Sequence, residues 1–312
     1  MKFEKPKSFM GIPIEGAYEK LLKEEEEKAE REKLAGARQP QMSPIPLIST
    51  SISNKEDYLI LQGAKHGNYE YGDLLIAKRR LALGKEVEQA AQALGLTNFT
   101  DKGGNKSFGN TALITNGHAY DYIGSINWEQ ALNLNLSLGG FTLNPRQHAD
   151  LRQLLQEGAD GRAKVCDGAG KEVSSQELSI IYDDILKKKN PWEGEWLDSK
   201  FEQQNGVWKM IYDHRLDAGG NLTGKTEDLE ACIMEKDCFV DLAFNNQGLA
   251  TKESSNQNYE QGKNVYFWHP RNGSVARFGA GSGRADLVCG SDPANASGRL
   301  GVRVARNFGG KK

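Results

Sequence analysis

The chain has 312 residues, 38% of them apolar and 26% charged, and its 40 basic side chains against 42 acidic ones leave a net charge of −2. This is the composition of a globular protein of one large or two modest domains and excludes a fibrous or collagen-like chain. No apolar run approaches the roughly 18 residues of a membrane-crossing helix, and no basic excess marks a phosphate-tracking surface, so neither a membrane span nor nucleic acid is expected.

The first twenty residues contain no continuous apolar core, so no secretion signal is expected there. Residues 18–37 are the most charged stretch, with a thin stripe of Leu21, Leu22, Ala29 and Leu34, and read as an exposed helix or a partner-docking arm. Residues 39–46 carry three prolines and read as a linker. Tyr58-Leu59-Ile60-Leu61 is expected to form a short buried strand. The apolar positions from Asp73 to Leu94, broken at Gly84, predict two helices, the second capped by Gly95.

Thr97 to Asn110 is polar and glycine-rich, hence a loop, and Asn116-Gly117 between two β-prone runs signals a hairpin. Leu132, Leu134, Leu136 and Leu138 alternate with polar residues, which predicts a half-buried strand. Asn144 followed by Pro145 opens a helix whose buried face is Leu151, Leu154 and Leu155 and which Gly158 ends. After a turn at Asp167–Gly170, a second helix starts at Ser174 or Ser175 and runs to the lysines 187–189, with Pro191 as its stop. From about Phe201 onward, short segments between Gly, Asn and Asp predict paired strands and long loops.

Conventional catalytic and metal signatures are thin. Four cysteines without a CxxC pair make neither a disulfide scaffold nor a structural zinc site. Cys232 and Cys238 are close enough in sequence to pair, whereas Cys166 and Cys289 stand alone; the expected role of all four is as small buried hydrophobes. Among the histidines 66, 118, 148, 214 and 269, only Asp213-His214 with Asp217 suggests an acid–base or metal cluster, and no HExxH spacing supports it. Gly279–Gly283 lacks the Lys-Ser/Thr ending of a phosphate loop, and Trp192 and Trp196 read as core anchors. Six glycosylation sequons, at Asn98, Asn105, Asn135, Asn221, Asn272 and Asn295, are what a chain this rich in asparagine carries by chance. No catalytic residue, metal or cofactor is expected.

The most unusual feature is compositional. Between Lys263 and Lys311 lie 47 residues without a single Lys, Glu, Gln or Met, although those four types fill about 23% of the chain and about eleven would be expected. The same window holds six of the fourteen arginines: Arg271, Arg277, Arg284, Arg299, Arg303 and Arg306. A glycine-rich β segment sheds some of these types but not all four. A codon-level process accounts for the depletion. Randomising asparagine codons of the form AAY at their adenines yields fifteen residue types that exclude Lys, Glu, Gln, Met and Trp. Trp268 then derives from another codon or is fixed.

At the same place the chain resembles a known family. Val275-Ala276-Arg277-Phe278, then Ala285-Asp286-Leu287-Val288-Cys289, then Leu300-Gly301-Val302-Arg303-Val304-Ala305-Arg306 look like the end of the C-type lectin fold of the variable proteins of diversity-generating retroelements, which closes on a Gly-Phe/Val-Arg strand. Pro191-Trp192-Glu193-Gly194-Glu195-Trp196-Leu197-Asp198 is similar to the archaeal branch of that family. The resemblance covers roughly residues 140–312.

The resemblance implies a C-type lectin-like domain at 139–312 with a variable segment at about 263–306, within an α+β chain whose regions 1–45 and 46–138, outside the resemblance, read from their own residues as a charged helix and linker and a mixed helical α/β region. It further implies a non-enzymatic display protein, at a cell surface or on a virion, that binds an unidentified protein or surface ligand. Val275, Phe278, Leu287, Cys289, Leu300 and Val302 are then expected to be buried framework. Tyr266, His269, Arg271, Asn272, Ser274, Ser282, Arg284, Asp286, Ser291, Asp292 and Asn295 are expected to be exposed contacts of adenine-reachable type, with Trp268 as an aromatic anchor. Two other readings compete. A fixed receptor-binding or structural component of a virus particle predicts the same fold without variation. Formylglycine-generating oxidases share the fold but require two reactive cysteines near the C-terminus, where this chain has only Cys289.

Overall fold

The computed structural model of the protein describes residues 8–9, 12–13, 54–82, 85–96, 108–115 and 118–309. The charged stretch at 18–37, the linker at 39–46, residues 97–107 of the expected loop and the Asn116-Gly117 turn lie outside the described residues, while Phe108–Asn110, expected as the end of that loop, begin a strand. The chain divides into two units, 1–44 and 45–312. In the first, β1 (Ser8–Phe9) and β2 (Ile12–Pro13) pair antiparallel.

The second unit is α+β. Its elements in chain order are β3 (Tyr58–Leu61), β4 (Ala64–His66), β5 (Tyr69–Tyr71), β6 (Leu74–Ala77), α1 (Lys85–Ala93), β7 (Phe108–Thr115), β8 (His118–Ile123), α2 (Trp128–Ser137), β9 (Phe141–Thr142), α3 (Pro145–Ala159) and α4 (Ser175–Leu186). The long strands follow: β10 (Glu193–Gln204), β11 (Val207–Leu216), β12 (Leu222–Asp228), β13 (Cys238–Asp241), β14 (Asn264–Trp268), β15 (Ser274–Ala280), β16 (Ala285–Ser291), β17 (Leu300–Gly301) and β18 (Val304–Asn307). Among the described residues no helix is long and apolar enough to cross a membrane.

The large sheet runs β12-β11-β10-β15-β16-β14-β13, with β17 alongside β10. Its pairs are antiparallel except β14–β16 and β10–β17. A smaller antiparallel sheet has the order β3-β6-β18-β9, so the last strand lies between a strand of the 46–138 region and the first strand after it. Those two regions therefore share one sheet. One face of the large sheet packs under α3 and α4, where Leu155, Ile181 and Leu186 meet Phe201, Phe267 and Phe278. A second core joins α1 and α2 to the opposite face through Trp128, Leu134, Trp196, Val275 and Val302.

Local signals account for several of these elements. Asn144 caps α3 through a reciprocal pair with Gln147, with Pro145 at the first position, and Ser174 caps α4. β3 is the short strand expected at Tyr58–Leu61, and β7 and β8 form the expected antiparallel pair around 116–117. Gly95 closes α1 in the left-handed conformation, with φ +68°.

Two expectations fail. Leu74–Ala77 is a central strand of the small sheet, not a helix; a four-residue apolar run between β3 and β18 fits a pleat buried on both faces as well as it fits a helical turn. Leu132, Leu134 and Leu136 belong to a helix, α2, with Leu138 at its C-cap, not to an alternating strand. The apparent alternation arises because α2 is buried almost all round. Its polar positions are inside too: Asn135 is fully buried and its Nδ2 donates to Thr142 Oγ1 at 2.8 Å and to the Arg303 carbonyl at 3.1 Å. The capping box of Asn127 with Gln130 fixes the start of α2.

Candidate ligand-binding surface

The Pro191–Asp198 block forms the first half of β10, and its acidic side chains point inward. Glu193, Glu195 and Asp198 are all buried. Gly194 lets β10 and β15 approach closely, since a Cβ there would lie 2.6 Å from the Phe278 carbonyl oxygen. Asp198 accepts the backbone N–H of His214 and also bonds its Nδ1. Glu195 receives Arg303 Nε at 3.0 Å and lies 3.0 Å from His148 Nε2, while Arg303 Nη1 donates to the carbonyls of Ala77 and Lys78 at 2.9 and 2.7 Å. Arg80 reaches Asp184 at 2.7 Å and Glu193 at 3.0 Å, and Lys189 lies 3.4 Å from each of the same carboxylates. Three cations thus face three carboxylates, a balanced network whose removal from water is compensated only while it stays complete.

This network sets a pH dependence. Burial holds the His148 imidazole down at about 4, against the pull of Glu195. Burial alone would raise Glu195, but the charge of Arg303, the His148 hydrogen bond and Arg80 outweigh it and hold Glu195 at about 2. Below about pH 6.5 the unfolded chain takes up a proton at residue 148 that the folded chain refuses until about pH 4, so stability falls as pH drops through that window. The loss is on the order of 2–3 kcal/mol, and protonation of Glu195 between about 4.5 and 2 adds to it. Urea midpoints measured at pH 7.5, 5.5 and 4.5 are expected to decline in that order; a flat series contradicts this account of the network.

The other end of the large sheet is open. There Phe239 of β13, Tyr266 and Trp268 of β14, and Asp286 of β16 lie on the face opposite α3 and α4, with Tyr266 in register with both Phe239 and Asp286. Phe239 and Tyr266 pack edge to face at 5.0 Å, and Tyr266 and Trp268 at 5.6 Å. Arg284 stacks over the Tyr266 ring at 3.6 Å, and Asp286 Oδ1 holds it, accepting from Arg284 Nε at 2.9 Å and from Trp268 Nε1 at 3.1 Å. At the margin, Asp237 accepts the backbone N–H of His269 at 3.0 Å, lies 2.7 Å from its Nδ1, and is 3.4 Å from Arg271 Nη2; its carbonyl accepts the Tyr266 hydroxyl. The result is a half-exposed aromatic patch, crossed by an arginine, in which each charge is internally paired.

Of the twelve expected contact residues, Tyr266, Trp268, His269, Arg271, Arg284 and Asp286 come together here. Asn272 lies in the β14–β15 turn and accepts the Gln203 N–H, Ser282 is exposed between β15 and β16, and Asp292 and Asn295 shape the exposed loop before β17. Ser274 and Ser291 depart from the expected exposure, at 5% and 7%. Ser274 Oγ is tied to the carbonyls of Arg271 and Cys289, and Ser291 Oγ accepts from Arg277 Nε, so both belong to the framework. Phe239 and Asp237 were missed because they lie outside 263–306. The short β-prone run Cys238-Phe239-Val240 marks a strand, but nothing in it names the strand it pairs with.

The other candidate sites resolve into structural roles. Asp213 takes the Tyr69 hydroxyl and Lys225, His214 is bound to Asp198, and Asp217 caps its own turn through Gly219 and Asn221, so the three do not converge. Each of the four histidines with described side chains bonds a carboxylate. Cys232 and Cys238 do not pair, and all four thiols are free. Burial pushes Cys232 up to about 11 and Cys289 well above the ordinary thiol range, so both are protonated at neutral pH. Trp196 is buried as expected, whereas Trp192 is half-buried beneath Arg277. Among the described residues no group of three or more His, Cys, Asp or Glu is placed to hold a metal.

No protein-family model, no curated protein and no solved structure matches the chain.

Proposed function

We propose that the protein is a non-enzymatic ligand-binding display protein whose segment 263–306 is diversified by adenine-directed mutagenesis, on a C-type lectin-like domain spanning about 139–312. The observation that carries this reading is how burial divides that segment. Val275, Phe278, Leu287, Cys289, Leu300 and Val302 are each at most 1% exposed, whereas ten of the twelve contact positions are exposed or half-exposed. The stretch after Lys263 that lacks Lys, Glu, Gln and Met thus combines a sealed framework with half-exposed and exposed positions. The domain reading rests on the pairing of β9 with the closing strand β18, the two helices that follow β9, and the bond between Arg303 of the closing motif and Glu195 of the Pro191–Asp198 block. Phe239, Tyr266, Trp268 and Arg284 supply rigid aromatic area and a guanidinium, the side chains best suited to an adaptable protein contact.

A display face must tolerate change. Replacing Tyr266 by Asn, Trp268 by Ser or Arg284 by Gly is each expected to cost no more than about 1–2 kcal/mol, the worth of an exposed aromatic or cation–π contact. Phe278→Ala is expected to cost about 3–5 kcal/mol. Chemical denaturation of the four variants checks this; losses at the face as large as at Phe278 overturn the display reading.

A further inference from the structure

Arg277 of β15 is the half-buried arginine of the 263–306 segment that meets no carboxylate. Arg271, Arg284 and Arg303 pair with Asp237, Asp286 and Glu195, Arg306 is buried on the Leu138 carbonyl, and Arg299 is exposed. Three contacts hold the Arg277 side chain in place. Its Nε donates to Ser291 Oγ at 2.8 Å, and its guanidinium carbon lies 5.2 Å from the centre of the Trp192 ring. Gly279 leaves room for Nη1, since a Cβ there would lie 3.6 Å from that atom. Nη1 and Nη2 have no acceptor among the described residues, and neither is sealed from solvent. Burial pulls the guanidinium below its ordinary pKa; Asp286 offsets this only in part, and its Oδ1 is already taken by Arg284 and Trp268.

Strand register places this group on the open face. Arg277 is opposite Val288 of β16, and Val288 is opposite Trp268 of β14; one pleat along, Gly279, Asp286 and Tyr266 form the neighbouring row. Directly paired residues share a side of the sheet, so Arg277 continues the aromatic patch two strand spacings away, or about 10 Å. A guanidinium with two free donors in one plane is a fork matched to a carboxylate, and holding it in place beforehand lowers the ordering cost of binding. A phosphate's second charge calls for another cation, and Arg271 and Arg284 are already paired with carboxylates.

We infer that Arg277 is a further contact residue of the display face, and that the partner is a protein segment presenting an Asp or Glu carboxylate to it about 10 Å from an apolar side chain seated on Tyr266 and Trp268. This rests on the display reading of the face and adds the chemistry of its ligand.

The test titrates the isotope-labelled full chain with the N-acetylated, C-amidated peptide Glu-Gly-Gly-Phe, whose extended backbone spaces carboxylate and ring by about 10 Å, and with its Gln-Gly-Gly-Phe counterpart. The readout is the NMR signals of the Trp192 and Trp268 indole N–H groups, assigned by Trp192→Phe and Trp268→Ser. The parent is expected to bind the acidic peptide about ten-fold more tightly than the neutral one, and Arg277→Gln to bind both alike. Trp268→Ser is expected to weaken both and leave their ratio unchanged. The ratio is read on the parent alone, so the test stands should Arg277→Gln fold poorly. Equal affinities in the parent, or no saturable shift with the acidic peptide, overturn the inference. A segment invariant among natural copies removes diversification but not this ratio, so the two failures are distinguishable.

Discussion

Replacing Arg303 by methionine is expected to destabilise the protein by about 3–5 kcal/mol, the cost of leaving a buried carboxylate without its partner. Arg303 binds Glu195 through Nε and the Ala77 and Lys78 carbonyls through Nη1, so one side chain joins β10, the closing segment and the chain just after β6. The variant strands all three acceptors at once. At roughly 2–4 °C per kcal/mol for a unit of this size, Tm is expected to fall by roughly 6–20 °C. Arg303→Lys keeps the charge but not the fork, and is expected to recover only part of the loss. Adding Glu195→Gln to Arg303→Met removes the stranded charge, so the double variant is expected to be less unstable than the sum of the single ones. A loss below about 1 kcal/mol in Arg303→Met, or strict additivity in the double variant, contradicts the role assigned to the network.

Trp196→Ala is the second large effect, again about 3–5 kcal/mol. Trp196 is 1% exposed and packs in the second core, and its Nε1 donates to the Ile126 carbonyl at 3.0 Å. Truncation opens a cavity between β10 and α2 and leaves that carbonyl without its donor. Trp196→Phe keeps most of the packing and loses the hydrogen bond, so it is expected to cost distinctly less. Equal losses in the two variants, read by urea unfolding, would show that the hydrogen bond rather than the packing anchors the residue.

How much of this was legible in the sequence depended on how local the signal was. The starts of α3 and α4 follow from Asn144-Pro145 and Ser174, because a cap is satisfied within four residues of itself. The framework of 263–306 is legible in part because the apolar Phe278 and Leu287 adjoin the half-exposed Arg277 and Asp286, although Gly279 and Val288 on their other sides are buried too. Leu74–Ala77 is ambiguous at four residues, and only its place between β3 and β18 makes it a strand. The leucines of α2 mislead because alternation implies a polar face, and here the polar face is buried against β9 and the Arg303 carbonyl. Ser274 and Ser291 are small polar residues of the adenine-reachable set, and only cross-strand hydrogen bonds reveal that they face inward. Glu195 and Arg303 lie 108 residues apart, and Phe239 meets Tyr266 only through register, so neither contact has a local signature.

The display reading stands or falls on variation at defined nucleotides. The decisive measurement is to sequence many natural copies of the coding region for residues 262–306 together with the flanking DNA. The expected result is a nearby near-identical template whose differences from the coding copy fall at adenines. The substitutions should concentrate at Tyr266, Arg271, Arg284, Asp286 and the other exposed positions, while Val275, Phe278, Leu287 and Val302 stay fixed. An invariant segment with no template contradicts diversification, reduces the adenine pattern to a coincidence of composition, and leaves a fixed virion component or an enzyme on the same framework as the readings to pursue.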